Sequence, residues 1–325
     1  MPKLSFQYVT GKAGAETLLR FLERRFRYHN ADMWARLIRG GHVTVNGIAV
    51  APDFQLRTRH KIVYERPPFR EPAVDRRYTI LFEDEHLLAV NKSGNMPTSP
   101  SGKYWDNCLV HIVQKDRALQ RLHAVHRLDR ETSGVNLLAK TRKAARILGQ
   151  DFQTGKVEKT YLAILRGALP SAEVYVSAPL LEDRQGSVRI RQTISPRGRD
   201  ARTRFELLAR LPGASLARAV PLTGRTHQIR AHAHFLGYPV WGDKLYGCTD
   251  AEFLDWVQRE RSEVHPRHLL HASALALWHP LTGHRLTIHA PAKGLMDEFL
   301  ADAEPFAGND KATVYTRRRE SLDEA

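Results

Sequence analysis

Residues 201–222, ARTRFELLARLPGASLARAVPL, contain two runs that read as β-strands, ARTRFELLA (201–209) and ASLARAVPL (214–222). No helix separates them, and strands that follow one another so closely pair antiparallel, because a parallel pair needs a long crossover. The same kind of run recurs at YTILFED (78–84), HLLAVNK (86–92), KTYLAIL (159–165), SALALWH (273–279) and RLTIHA (285–290). Helical patterns stand at DNCLVHIVQ (106–114), RKAARILGQDF (142–152), HQIRAHAHFLG (227–237), AEFLDWVQRE (251–260) and LMDEFLADAE (295–304). Strands outnumber helices and often adjoin, so the chain from residue 78 is predicted to be an α+β domain on a mostly antiparallel mixed sheet.

The first 66 residues follow a different pattern. GAETLLRFLERRFR (14–27) reads as an amphipathic helix with Leu18, Leu19, Phe21 and Leu22 on one face. ADMWARLIR (31–39) reads as a second helix, stopped by Gly40-Gly41. In HVTVNGIAV (42–50), Asn46-Gly47 between two β-branched runs is the strongest hairpin signal of the chain. KIVYER (61–66) adds a strand. A small basic helix–helix–hairpin domain over residues 1–66 follows. PPFREPAVDRR (67–77) then reads as a linker, residues 78–304 as the large domain, and 305–325 as a flexible tail.

Lys and Arg number 50 against 35 Asp and Glu, a formal net charge of +15 that favours an anionic partner, nucleic acid first. No run approaches the roughly 18 apolar residues of a membrane helix, and the N-terminus has no apolar segment of signal-peptide type. Cys108 and Cys248 are the only cysteines, too few for a disulfide framework. A cytoplasmic protein with no membrane partner, monomeric, is the expectation.

Three tempting motifs are weak. GQDFQTGKV (149–157) resembles a phosphate loop, but its glycines have the wrong spacing and Val157 stands where a magnesium-binding hydroxyl belongs. In HQIRAHAHF, helical geometry separates His227, His232 and His234 too far to share one ion, so no metal is expected. Ser133 in ETSGV lacks the preceding glycine of a nucleophile elbow. HRLDRETSG (126–134) carries more chemistry: Arg127 and Arg130 flank Asp129, and their charge should keep its carboxylate ionised and able to act as nucleophile or base. Taken alone, that stretch is better explained as a solvated ion-pair loop. Two further clusters add weight: Arg225 and Arg230 around the entry to a helix in LTGRTHQIR (222–230), and Lys159 with Tyr161 on one face of a strand.

In order along the chain, HRLDRETSG, KTYLAI, LTGRTHQIRAHAHFLGYPVWGDKLYG and HLLHASALALWHPLTG resemble the motifs of the RluA-type pseudouridine synthases, and ILFEDEHLLAVNKSGNMPTSPSG resembles that family's opening strand pair and loop. The resemblance covers about residues 78–295. Residues 14–66, with IRGGHVTVNG as the hallmark stretch, resemble the small RNA-binding domain named for ribosomal protein S-four. Two positions depart from those patterns: Ser93 follows Lys92 where the family has proline, and Arg59-His60 stand where the small domain has Gly-Asp.

The resemblance implies an RNA pseudouridine synthase, an isomerase needing no cofactor. It makes Asp129 the essential carboxylate, attacking the sugar or removing a sugar proton. Arg225 would pair with Asp129, and Tyr161 would stack on the uracil. Arg127 would hold the flipped base, with Arg130, Lys159 and Arg230 as further RNA contacts. His126 would be structural. The extra small domain favours large-subunit ribosomal RNA as partner, with transfer RNA open. A catalytically silent RNA-binding assembly factor and a hydrolase built on Ser133 are the competing readings.

Overall fold

The computed structural model describes residues 5–9, 11, 16–26, 29–67, 70–183, 186, 188, 190–259, 267–292 and 294–302. Two compact units meet in sequence between Glu71 and Pro72. The first contains β1 (Ser5–Val9), α1 (Leu18–Arg25), α2 (Ala31–Arg39), β2 (Val43–Val45), β3 (Ile48–Ala49) and β4 (Lys61–Glu65). Its sheet runs β1-β4-β2-β3 and is antiparallel throughout. Both helices are capped as their sequences dictate: Thr17 Oγ1 accepts from Arg20 N–H, and Asn30 Oδ1 accepts from Met33 N–H. Leu18, Leu22, Trp34 and Ile38 of the helices close on Val43, Ile62 and Tyr64 of the sheet. β1 has no counterpart among the strands read from sequence.

Asn46 and Gly47 sit at φ 52° and 81°, the two left-handed positions that a two-residue hairpin turn requires. Arg59 lies at φ 66°, at the place where the domain it resembles has glycine, so a side chain stands in a conformation glycine would take without steric cost. Beside it, His60 Nδ1 accepts from Arg57 N–H at 3.1 Å and closes the turn.

The second unit is built on one ten-stranded sheet. Its elements in chain order are β5 (Tyr78–Glu83), β6 (Leu87–Lys92), α3 (Leu109–Asp116), β7 (His123–Ala124), β8 (Ser133–Ala139), α4 (Arg142–Thr154), β9 (Glu158–Arg166), β10 (Glu173–Ser177), β11 (Leu180–Glu182) and β12 (Gln192–Ile194). They continue with β13 (Arg202–Leu211), β14 (Ala214–Pro221), α5 (Gln228–Phe235), α6 (Asp250–Arg259), β15 (Leu270–Trp278), β16 (Arg285–His289) and α7 (Leu295–Asp302). The sheet path is β10-β13-β14-β9-β15-β8-β6-β5, with β7 also on β8 and β16 also on β15, while β11 and β12 form a separate hairpin.

Every named pairing in the large sheet is antiparallel except β15 with β8. The α+β reading is therefore the observed one. Segment 72–77, read as linker, is tied to this unit: Asn107 Nδ2 donates to Pro72 O and Ser93 Oγ donates to Asp75 O. The predicted tail, residues 305–325, lies outside the described residues.

β8 is buried along its whole length. Val135, Leu137 and Ala139 meet Ala144 and Leu148 of α4, and Leu138 belongs to the cluster formed by Leu109, Ile112 and Val113 of α3. A strand covered on both faces shows no alternation of apolar and polar residues. At its start, Ser133 and Gly134 run beside His271 and Ala272 of β15. Gly134 has φ 107°, and a Cβ there would lie 2.2 Å from Ala272 O. Gly134→Ala is expected to destabilise the domain by roughly 3 kcal/mol through backbone strain and this clash. A urea-unfolding midpoint within error of wild type would show that the sheet tolerates a side chain at the crossing.

Candidate active site

The loop between β7 and β8 carries Asp129. Its turn closes with Thr132 N–H donating to Asp129 O at 3.1 Å. Thr98 holds the segment before it, its Oγ1 accepting from Leu128 N–H at 3.1 Å. On the other side, Met96 N–H donates to Arg130 O. Lys92, fully buried, donates to Met96 O and Ser93 O at 2.8 Å and to Arg130 O at 3.3 Å. Burial, with Arg267 nearby, pushes this ammonium down to about 7. The Asp129 loop is thus fastened by backbone and buried side chains, and a rigid loop is what places a reacting group.

The guanidinium that meets Asp129 belongs to Arg230, not Arg225. Arg230 Nη1 donates to Asp129 Oδ2 at 2.7 Å, and its Nε and Nη2 grip Asp243 at 2.6 and 2.9 Å in a two-point fork. Asp243 in turn accepts from Leu245 N–H and Tyr246 N–H. The sequence expectation fails for a geometric reason. Arg225 lies in the turn before α5, where its N–H donates to Gln228 Oε1 and its Nε donates to Asp200 O at 2.8 Å, away from Asp129. Arg230, expected as an RNA contact, lies in the first turn of α5 on the buried face, 7% exposed and engaged with Asp129 and Asp243.

Burial alone would raise the Asp129 carboxyl, but His227 and the Arg230 guanidinium outweigh it and hold the carboxyl well below the ordinary range. The side chain remains 28% exposed, so an ionised oxygen can be reached from solvent. His227 enters α5 at φ 54°, its Nε2 3.8 Å from Asp129 Oδ1. Burial lowers the His227 pKa, against an opposing pull from the Asp129 charge. Tyr246 hydroxyl accepts from Gln192 N–H and lies 3.2 Å from His227 Nδ1. The His227 ring thus stands between the Tyr246 hydroxyl on its Nδ1 side and Asp129 on its Nε2 side.

Tyr161 lies on β9 between Ala219 of β14 and Ala272 of β15. Burial, then the charge of Asp129, pushes its phenol above the ordinary tyrosine value, so it stays protonated at neutral pH. Arg127 is exposed and makes no ion pair among the described residues. Arg130 is occupied: Nη1 donates to Tyr104 hydroxyl at 2.7 Å and Nη2 to Glu131 at 2.9 Å. Lys159 donates to Thr223 O at 3.1 Å. His126 is structural, its Nε2 accepting from Leu137 N–H and its ring stacked on Phe152 at 4.5 Å.

Several residues of the site were not singled out from sequence. Asp243 and Tyr246 brace Arg230 and His227. Lys244 Nζ lies 2.9 Å from buried Glu131, whose other oxygen holds Arg130. His268, fully buried and lowered to about 3 by burial, bonds Thr132. Their one sequence signal was acids and bases placed inside otherwise apolar runs, GYPVWGDKLYG and HLLHASALAL.

The weak motifs resolve as ordinary structure. Gly155 of the phosphate-loop lookalike closes α4 in the left-handed conformation at φ 77°. His232 is buried between Thr203 Oγ1 and Ala178 O. Ser133 is buried against His271 Nδ1 at 2.9 Å, out of reach of a bulky substrate. Among the described residues no three His, Cys, Asp or Glu side chains are grouped to hold a metal ion, and no helix is long and apolar enough to cross a membrane.

The site gathers an ionised, accessible carboxylate on a fixed loop, a buried arginine bridging two acids and a protonated tyrosine on β9. Residues 86–235 match the family described as RNA pseudouridylate synthase. The chain belongs to that family, in its RluA-type branch, and is an RNA pseudouridine synthase. It is 35% identical over 317 residues to the ribosomal large subunit pseudouridine synthase C of Escherichia coli K12, covering 92% of this chain and 95% of that protein. The enzyme of the same name from Vibrio cholerae is 33% identical over 86% of this chain and 90% of its own length. Among solved structures, human RNA pseudouridylate synthase domain containing 1 superposes with a TM-score of 0.55 at 26% identity, covering 68% of this chain and 86% of that one.

Proposed function

We propose that the enzyme isomerises uridines of large-subunit ribosomal RNA in the cytoplasm, with Asp129 as its reacting carboxylate and no cofactor. The reading rests on one observation above the others. Asp129 is held ionised by the buried Arg230 yet keeps an oxygen open to a substrate. The chemistry is redox-neutral: the bond from ribose C1′ to uracil N1 breaks, a bond from C1′ to C5 forms, and the C5 proton leaves while N1 regains one. Asp129 would serve as nucleophile at the sugar or as base toward a sugar proton. Tyr161, protonated, would stack on the uracil and can donate but not accept a proton at neutral pH. Arg127 would hold the target base out of its stack. The choice of ribosomal RNA is supported by relatives of that name that align over nearly the whole chain. Pseudouridine mapping of total RNA from a deletion strain and its parent tests it. Loss confined to transfer RNA would move the substrate, and loss nowhere would favour a silent RNA-binding protein.

The small first unit would supply affinity, as a domain of the S-four type does. Arg20, Arg36 and Arg39 stand exposed on its two helices. A chain beginning at Pro72 is expected to bind RNA about tenfold more weakly, since lost phosphate contacts weaken binding without touching the reacting groups. Its single-turnover rate at saturating RNA should stay within about threefold of the full chain. A folded truncated protein with no activity at any RNA concentration would overturn this division of labour.

A further inference from the structure

Arg225, outside the Asp129 pair, sits among cations that form no ion pair with a carboxylate among the described residues. Lys159 shares the β9 face with Tyr161, two residues and so about 7 Å along the strand. Its Nζ donates to Thr223 O, and a Cβ on the adjoining Gly224 would lie 3.4 Å from it, so the ammonium rests on the turn 223–224. Arg225 is the next residue. Its Nε donates to Asp200 O at 2.8 Å, which brings the guanidinium against the segment bearing Arg199. Arg199 is exposed and has no ion pair among the described residues. The nearest acid, Asp200, turns its carboxylate to Arg202 Nε at 3.3 Å. Gln228 locks the arrangement, its Oε1 accepting from Arg225 N–H and Thr223 Oγ1 and its Nε2 donating to Arg202 O.

The cost of this crowding is visible in the charges themselves. Burial, then Arg225, lowers the Lys159 ammonium, and burial, then Arg199, lowers Arg225 against a smaller opposing pull from Asp200. The contrast with Arg230, which faces two carboxylates, is plain. Cations that no carboxylate pairs directly, two of them held by backbone carbonyls, leave room for an anion, and the Arg225 guanidinium nitrogens not bonded to Asp200 O offer the planar donors that suit phosphate.

We propose that Lys159, Arg199 and Arg225 form a phosphate-binding cradle that holds the RNA backbone beside the nucleotide presented to Asp129 and Tyr161. This rests on the functional reading above and adds to it a place and a chemistry for the backbone next to the target. The test is the salt dependence of binding by the full-length protein, with a 20-nucleotide uridine-rich single-stranded RNA as probe. Each phosphate contact contributes about 0.7 to the slope of log Kd against log salt concentration on single strands. Arg199→Gln with Arg225→Gln should lower the slope by about 0.7 or more and weaken binding about tenfold at 0.1 M salt.

Arg142→Gln with Arg146→Gln, which removes two exposed charges from α4, should change affinity less than about twofold. Equal losses in both pairs would make the effect one of net charge, and no loss in the first pair would empty the cradle; either result overturns the proposal. Should the first pair fold poorly, Arg199→Gln alone, which removes no protein contact, carries the same comparison. Activity is not read, so a failure here leaves the Asp129 chemistry standing, and a failure of that chemistry leaves this comparison intact.

Discussion

Asp129→Asn is expected to slow single-turnover pseudouridine formation by at least about a thousandfold, or about 4 kcal/mol of barrier, while RNA binding changes by less than about twofold. The amide keeps the shape of the carboxylate and can still accept from Arg230 Nη1 through one oxygen. Asp243 continues to hold the guanidinium by its fork, so the loop and helix α5 should stay in place. What is lost is the charge, and with it the capacity to attack a sugar carbon or take a sugar proton. The wild-type rate should show the same charge by its pH dependence. The folded carboxyl lies below its ordinary value of roughly 3.9, so it stays ionised as pH falls from 7 to 5 and the rate should not decline through its protonation. Single-turnover rates and binding isotherms for both proteins make the measurement. A rate within about tenfold of wild type would reduce Asp129 to a member of an ion-pair loop.

Sequence pattern found most of the large sheet, its central β9 and β15 included, but missed β8 and the edge strand β10. β13 and β14 were legible because they are long and adjoin. The hairpin at Asn46-Gly47 was legible because only a few residue types take two left-handed positions in a row. β8, the strand that begins at the Asp129 loop, was not read, because burial on both faces removes the alternation that marks a strand. The catalytic candidates Asp129 and Tyr161 were legible through motif order. Their electrostatic partner was not. Arg225 and Arg230 are five residues apart in one motif, and only the backbone decides that the first ends in a turn facing Asp200 and the second on the inner face of α5. Asp243 left only a weak mark, an acid inside the apolar run GYPVWGDKLYG, because a residue that acts through long-range geometry carries no pattern naming its partner. Sequence spacing identifies which groups are present, and a tertiary contact across 101 positions identifies which of them meet.

The second large effect follows from that contact. Arg230→Lys should slow the single-turnover step by about a hundredfold, because displacing a catalytic group by about 1 Å costs on that order. The guanidinium reaches Asp129 with one nitrogen and Asp243 with two others in one plane. An ammonium is a single point and cannot span both carboxylates in that geometry. Charge is conserved, so the site does not suffer an uncompensated buried acid, as it would in Arg230→Ala, where leaving Asp243 unpaired would cost about 3–5 kcal/mol of stability and blur the reading. Arg230 is 7% exposed, so RNA affinity should be unchanged. Combining Arg230→Lys with Asp129→Asn should cost no more than Asp129→Asn alone, since once the charge is gone its orientation has nothing left to act on. The measurement is the single-turnover rate at saturating RNA for the two single variants and the double. Independent, multiplying losses would mean that Arg230 contributes by some route other than Asp129, and a larger loss in Arg225→Lys than in Arg230→Lys would return the pairing to the turn before α5.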